Sequence, residues 1–543
     1  MMKQFQLRFN HLVRNRSLLL LFITIILAAF MQGILAANKI TITHDETISY
    51  LSATVNQGDF ERIFQNNVYP ANRWVSVGTW KEWFELDKPF SFRQIGIDLA
   101  ESDIHPPLYF WLLHLWTWLF DVHPWTGPTL NILLQAIGAI GLFHLARRVL
   151  KDNFEALAVV FIWSVSPAVL TATLEARQYT LFGVFAIFFI WLIVIAVDRL
   201  RALDWRIWIL LAIVTAGGAL THYQFILIVA GAVLIFVLKL LRHDLKRVAF
   251  VGTAVTVGYL LSFVLHPRFY QSIQELSRRQ ALEAQYLSSG LALAQRMYAV
   301  GKTFTSFWSA SSIIQLILFC VALTSLIWLG LILWKNPDRI RQYAQTKDFS
   351  GYEVGLFFVW IGGISILLYL TFVSPVHAMT ARHMSAVWPF FPFLAILLLR
   401  MVQIPNRNRI ILLLGTAVFL SGMFTVWQGV NGDKEILHTN VTLANVNRVV
   451  ADGVYQGIFP RIFLQLPDDT LIYATSQNEL LKNPKAWLPM LDTNSVYISE
   501  LSYDNTAANR DRILALIEQR FKVTPQSVET WLVGTSYFLA PLN

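Results

Sequence analysis

The chain has 543 residues, of which 55% are hydrophobic, 14% aromatic and only 14% charged, with a formal net charge of +9 and a mean hydropathy of +0.50. A soluble domain carries roughly 25% charged residues, so an ordinary soluble protein is excluded. The basic residues cluster in short loops between apolar runs, which writes membrane topology and gives no sign of nucleic-acid binding. The one cysteine, Cys320, lies inside an apolar run, so neither a disulfide framework nor a cysteine metal site is available.

Taken in order, the N-terminal arm carries Lys3, Arg8, Arg14 and Arg16 without an acid, which keeps it in the cytoplasm. The run Ser17–Ala36 is too long for the apolar core of a signal peptide and reads as a retained spanning helix. It delivers His44-Asp45-Glu46-Thr47-Ile48-Ser49-Tyr50-Leu51 to the outer surface. A charge pair inside hydrocarbon would cost several kcal/mol, so these acids belong at the interface. Two readings stand there: Asp45 and Glu46 as a catalytic pair facing a reaction centre, with Asp45 the base, or a cap at a loop-to-helix turn supplied by Asp45 or Thr43.

An outer loop follows to about residue 105, mixed in charge and long enough to suggest function. Prolines 106 and 107 open an aromatic-rich stretch to Phe120, with Asp103 as a candidate cap. Arg147-Arg148 and Lys151 must be cytoplasmic, which leaves room for one crossing, supplied by Thr126–Ala146. Residues 106–120 therefore read as a juxtamembrane helix on the outer face.

The runs Phe154–Ala172, Tyr179–Val197, Ile207–Leu220, Phe225–Leu241, Val248–Leu265, Ile313–Trp334, Val354–Val373, Met384–Leu399 and Ile410–Val426 then alternate, giving about eleven crossings. His266–Thr305 is an amphipathic outer loop suited to clamping a lipid. Beyond Gly429 the apolar runs shorten to strand length at Thr470–Ala474, Val496–Ile498 and Trp531–Leu539, alternating with helical stretches at Asn445–Gly453 and Asn509–Phe521. The expected fold is an all-α polytopic membrane bundle, residues 1–428, with a small extracytoplasmic α/β domain, residues 429–543.

This topology gathers polar residues at one face. Asp45, Glu46, Asp103, His105, Glu175, Arg177, Tyr179, His222, His377, Arg382 and His383 all fall at outer helix ends. In a helix Glu175 and Tyr179 would share a face. Arg177 and Arg382 can bind phosphate oxygens, or serve as an ion-paired turn and a snorkelling side chain. His222 and His377 read equally as interfacial caps. No GxxxxGK, HExxH, CxxC or GxSxG occurs. The outer histidines with Asp45 and Glu46 could take a divalent cation, though their spacing fits no recognised ligand pattern.

Three pieces together resemble the C-type integral-membrane glycosyltransferases, the clan that holds protein O-mannosyltransferases and lipid A aminoarabinose transferases. They are Asp45-Glu46 after helix 1, Asp103-Ile104-His105-Pro106-Pro107-Leu108, and Glu175-Ala176-Arg177-Gln178-Tyr179 with Thr221-His222-Tyr223 after it. Two positions depart from the clan: His383 follows Arg382 where an aromatic is usual, and Pro128, Thr129 and Asn131 stand where an arginine is expected. The resemblance implies a sugar donor linked to polyprenyl phosphate and a protein, lipid or glycan acceptor. Asp45 would deprotonate the acceptor hydroxyl and invert the anomeric centre. Glu46, Asp103, His105, Glu175, Tyr179, His222 and His383 would hold substrate, and Arg177 and Arg382 the leaving phosphate. No cofactor is implied, and a divalent cation is left open. It places the chain in the plasma (inner) membrane.

A transporter or flippase would instead put ionisable residues near the bilayer midplane, on broken or repeated helices. A sensor or scaffold would leave Asp45-Glu46 and His105-Pro106-Pro107 without a role.

Overall fold

The structure is a computed structural model that describes residues 16–63, 69–103, 105–198, 202–237, 240–241, 244–284, 290–317, 320, 355–357, 359–364, 366, 384–401, 406–443, 445–453, 459–500, 505–527 and 534–542. The expected crossings Ile313–Trp334 and Val354–Val373 lie largely outside these residues.

The first helix, α1 (Ser17–Ala37), is about 31 Å long at 1.5 Å per residue, the thickness of a hydrocarbon core. Leu18, Phe22, Ile23, Ile26 and Phe30 are exposed along it, the face a lipid-bathed helix presents. The segment after α1 holds α2 (His44–Ala53), α3 (Gln57–Glu61), a short strand β1 (Trp74–Ser76), α4 (Val77–Lys81) and α5 (Phe92–Ser102). Then come α6 (Leu108–Phe120), α7 (Thr126–Leu150), α8 (Asn153–Ser164), α9 (Pro167–Thr173), α10 (Tyr179–Ala196), α11 (Trp205–Thr221), α12 (Phe225–Ala232), α13 (Leu245–Leu265), α14 (Phe269–Ala284), α15 (Gly290–Ser306), α16 (Phe390–Met401) and α17 (Arg407–Leu443). Among the described residues five helices (α1, α7, α10, α13 and the first part of α17) are long and apolar enough to cross a membrane. The chain is a multi-pass membrane protein.

The expected crossing Phe154–Ala172 is broken into α8 and α9, bent by 56°. Ser166 caps α9 from the residue before Pro167, where the proline ring disfavours continued helix. The amphipathic loop after residue 266 forms two helices, α14 and α15. The bundle is polarised. At one end Arg400 and Arg407 pair with fully buried Glu155, Arg148 pairs with Asp198, and Arg247 donates to the Ala196 carbonyl (2.9 Å). The other end carries the residues expected at the outer face.

The C-terminal part contributes β2 (Arg448–Ala451), α18 (Phe459–Phe463), β3 (Leu471–Ala474), α19 (Gln477–Lys482), α20 (Pro484–Trp487), β4 (Ser495–Glu500), α21 (Ala507–Glu518), β5 (Phe521–Ser527) and β6 (Gly534–Pro541). The six-stranded sheet runs β1-β3-β2-β4-β6-β5, with β2 parallel to β3 and β4 and the other pairs antiparallel. Asn445–Gly453 is therefore a central strand, not a helix. Its Val449, Val450 and Ala451 are buried on both faces, as a parallel strand requires. Strand β5 begins where the helical stretch to Phe521 was expected to end, because α21 stops at Glu518.

Two features revise the picture of separate modules. Helix α17 runs through the expected boundary at residue 429. Strand β1, from the first outer loop, is an edge of the C-terminal sheet, with Val75 opposite Ile472. One apolar core joins Tyr50, Leu51, Tyr109, Phe110 and Ala176 to Val449, Phe459, Ile472 and Val496. Trp80 is its centre, fully buried, with its ring 4.7 Å from Phe459 and 6.3 Å from Phe463. Trp80→Ala is expected to cost about 3–5 kcal/mol, read as a lowered thermal transition in detergent and new protease cleavage between the outer loop and the sheet; an unchanged transition contradicts this packing.

Candidate functional site

Helix α2 begins at the capping residue Thr43. Its hydroxyl accepts from Glu46 N (3.3 Å), and Glu46 Oε2 accepts from Thr43 N (2.7 Å), a reciprocal capping box. The capping role thus falls to Thr43 and Glu46, and the Asp45 carboxylate is spared it. Glu46 is completely buried. Its Oε1 pairs with Lys39 Nζ and accepts from Ala176 N (2.8 Å), while Lys39 Nζ also donates to the Leu174 carbonyl (2.5 Å). Glu46 therefore ties three segments together.

Asp45 stands one residue away on a different face. Its carboxylate, 20% exposed, lies 3.2 Å from His44 Nδ1. Its backbone carbonyl accepts from Arg177 NH1 (3.2 Å) and Ser49 Oγ (3.1 Å). Arg177 is 3% exposed, bonds Ser49 Oγ (3.2 Å) and lies over the Phe110 ring (5.9 Å to the centroid). Its NH1 is 3.9 Å from Asp103 Oδ2, and NH2 is 3.3 Å from the His105 ring nitrogens. Asp103 Oδ1 is 2.8 Å from His105 Nδ1. A guanidinium only donates and a carboxylate only accepts, so neutral His105 donates from Nδ1 to Asp103 and accepts at Nε2 from Arg177. Arg177 Nε is buried without a hydrogen-bond partner among the described residues.

Asp103 ends α5 rather than capping α6, which starts from Pro107 with no side-chain cap. His222, at the end of α11, stacks on Phe182 (4.7 Å) and lies 6.4 Å from His105 and 6.2 Å from Tyr179. Residues 174–178 form a turn, with α10 starting at Tyr179, so Glu175 and Tyr179 do not share a helix face. The structure thus gathers Asp45, Glu46, Asp103, His105, Glu175, Arg177, Tyr179 and His222 at one end of the bundle. Arg382, His383 and His377 lie outside the described residues.

Several contributors gave little warning in the sequence. Lys39 is a single lysine after an apolar run, and its partner carbonyl is far along the chain. Tyr50 donates to the His123 carbonyl (3.0 Å) and accepts from Gly127 N (2.8 Å). A Cβ at Gly127 would collide with the Ala176 methyl, so only glycine lets α7 start this close to the turn. Asn131 Nδ2 donates to the Glu175 carbonyl (2.5 Å). Gln178 is fully buried, and neither amide atom has a hydrogen-bond partner among the described residues.

Tyr223 and His266 close the rim. Burial pushes His266 down to about 4, so it stays neutral; Nδ1 accepts from Arg268 N (3.3 Å), and Nε2 therefore donates to the Tyr223 hydroxyl oxygen (3.1 Å). Glu175 is the most perturbed carboxyl here. Burial and the neighbouring Glu46 charge push it up to about 7, against the opposing pull of Lys39 and Arg177. No group of three or more His, Cys, Asp or Glu among the described residues is arranged to hold a metal ion. Among the described residues the Glu46 carboxylate is met by Lys39, Asp103 by His105 and Arg177, and Asp45 by His44.

Residues 104–266, under a third of the chain, match the family described as dolichyl-phosphate-mannose-protein mannosyltransferase. That segment contains His105, Glu175, Arg177, Tyr179 and His222. No curated protein matches. Among solved structures, the Archaeoglobus fulgidus oligosaccharyltransferase, in a complex with zinc and sulfate, aligns over 96% of this chain and 74% of its own at 12% identity, with a TM-score of 0.47. ArnT from Cupriavidus metallidurans, bound to undecaprenyl phosphate, aligns over 96% and 99% at 12% identity, with a TM-score of 0.36.

The perturbed Glu175 makes a prediction. Its folded pKa of about 7 exceeds the ordinary 4.5, so ionisation is opposed by the fold. Stability should therefore fall as pH rises through about 4.5 to 7, the range where the folded state alone still holds the proton. Thermal transitions measured across that range should drop less for Glu175→Gln than for the wild type. Parallel slopes would show that Glu175 titrates normally.

Proposed function

We propose that this protein transfers a sugar from a polyprenyl-phosphate-linked donor to an acceptor hydroxyl at the outer membrane face, inverting the anomeric configuration. One observation carries the reading. Asp45, the Asp103–His105 pair and Arg177, from three distant parts of the sequence, meet in one hydrogen-bond network at a single end of a membrane bundle. The family match, which includes His105 and Arg177, supports the same reading.

A lipid-linked donor keeps its tail in the bilayer and presents its sugar at the headgroup level, where this cluster lies. Asp45 is the base that takes the acceptor proton as the hydroxyl attacks the anomeric carbon; its carboxylate is 20% exposed. The bond to the phosphate oxygen breaks, and the phosphate leaves as an anion that needs positive charge and not an acid. Arg177, with an unused buried Nε, supplies that charge where the dielectric is low, and Arg382 is assigned the same task from its place in the sequence. Asp103 orients His105 against the substrate, and Glu175, Tyr179, His222 and His383 line the sugar site. Glu46 holds the segment in place.

The charged residues described here gather at the bundle's two ends, while the polar contact in the middle of α1 and α7 joins uncharged Gln32 and Gln135. A transporter would concentrate its ionisable groups at that depth.

In liposomes carrying the purified chain, a polyprenyl-phosphate sugar and an acceptor, Asp45→Asn is expected to lower transfer by about 10²–10⁴-fold with unchanged membrane insertion. Wild-type turnover in that variant would remove Asp45 as the base.

A further inference from the structure

The turn that brings Arg177 under α2 ends at Gln178, whose side chain takes no part in the network described above. Gln178 is 0% exposed, and neither Nε2 nor Oε1 has a hydrogen-bond partner among the described residues. Its backbone is already helical (φ −65°, ψ −5°), and its carbonyl accepts from Phe182 N (2.9 Å). Gln178 therefore starts the helical stripe that Phe182, Phe185 and Phe189 continue four, seven and eleven residues on. That stripe faces the end of α11 and the start of α12. Phe182 stacks on His222 (4.7 Å), Phe189 lies edge-on to Phe225 (5.3 Å), and a Cβ at Gly217 would strike the Phe185 ring. Helical side chains lean toward the N-terminus, so the Gln178 amide belongs beyond Phe182, at the outer end of the stripe.

A buried amide left unbonded destabilises a fold, and an apolar group of the same shape would serve the packing better. Its chain neighbours are Arg177, which reaches His105, and Tyr179, whose ring is 6.2 Å from His222. His222 is in turn 6.4 Å from His105. The amide carries no charge, so an anion is matched by Arg177 and not by Gln178. Its planar group offers N–H donors at one atom and a carbonyl acceptor at the other, a pattern that two neighbouring hydroxyls complete. We propose that Gln178 binds two neighbouring hydroxyls of the transferred sugar, Nε2 donating to one and Oε1 accepting from the other, and so sets which sugars are taken. This rests on the reading of sugar transfer given above.

Such a residue acts by selection. A site built to bond a hydroxyl rejects the sugar that lacks it, because a buried polar atom is then left unpaired. A stereoisomer that turns one of the two hydroxyls away loses the same bond. Successive helical side chains point in different directions, so Arg177 and Gln178 divide the work. Arg177 turns to α2 and the leaving group, and Gln178 to the α11–α12 side and the sugar.

The test uses the full chain in liposomes, with undecaprenyl phosphate carrying mannose, glucose, galactose, xylose or arabinose. A threonine-containing peptide, lipid A and mannobiose are offered as acceptors. The sugar that turns over is then supplied in each of its monodeoxy forms. In the wild type, two forms lacking neighbouring hydroxyls should be used at least about tenfold less well than the parent sugar. Gln178→Met, which keeps the volume without the amide, should lower kcat/KM for the parent by about 10–100-fold and use those two forms as well as the parent. The other deoxy forms should keep their wild-type ratios. Its thermal transition without sugar should not fall, since no bond within the chain is lost. Wild-type kcat/KM in the variant, or wild-type ratios for every deoxy form, overturn the inference. Ratios that change at one hydroxyl only, or at two that are not neighbours, also overturn it. If Gln178→Met does not fold, Gln178→Asn, whose amide is one methylene short, decides by the same ratios. If the wild-type chain transfers none of the sugars, the reading of sugar transfer falls and this inference with it; wild-type turnover with unaltered ratios in the variant removes this inference alone.

Discussion

The buried carboxylate of Glu46 is the contact on which the arrangement depends. It joins the Thr43 amide, Lys39 and the Ala176 amide, three groups that belong to the end of the first spanning helix region, the start of α2 and the turn before α10. A buried carboxylate is costly unless every lone pair is met, and here charged and backbone donors meet it at once. The consequence is positional. Because Ala176 is fixed to Glu46, its neighbour Arg177 is brought under α2, where it captures the Asp45 carbonyl, Ser49, and the Asp103–His105 pair. Removing the acid would release both the helix and the turn.

The same logic explains the close contact of α7. Tyr50, one turn beyond Glu46, bonds the amide of Gly127, and the missing side chain at 127 lets the helix start against Ala176. The outer sheet extends this from above. Its strands alternate side chains between two faces, with Val449, Ile472 and Val496 turned to the core shared with α2, and Val450, Tyr473 and Tyr497 to the core under α21. The domain is thus one face of a continuous packed unit that begins in the first outer loop and ends in the bundle.

Much of the bundle was legible in the sequence, because a run of about twenty apolar residues has one physical meaning. The ends of α1, α7, α10 and α13 follow their hydropathy closely. The gathering of Asp45, Asp103, His105, Glu175, Arg177 and His222 at one depth followed from counting crossings and from the charge of the loops. What escaped was set by contacts between distant segments. The bond from the Ala176 amide to Glu46 is one such contact, which no side-chain pattern announces. Asp103 read as a cap for α6, whereas its carboxylate turns to His105. Strand β1 is three residues long, too short to register, and β2 was hidden by a polar, asparagine-rich flank. Ser166-Pro167 did mark the break in the third crossing, but periodicity alone carried the helix across it.

The central claim is that this cluster performs a single displacement at an anomeric carbon, with one base on one side of the sugar and phosphate leaving from the other. The most direct measurement is proton NMR of the glycoside that the full-length chain forms in liposomes from a polyprenyl-phosphate sugar of known anomeric configuration. The account predicts a product of opposite configuration. A product that retains the donor's configuration would contradict it.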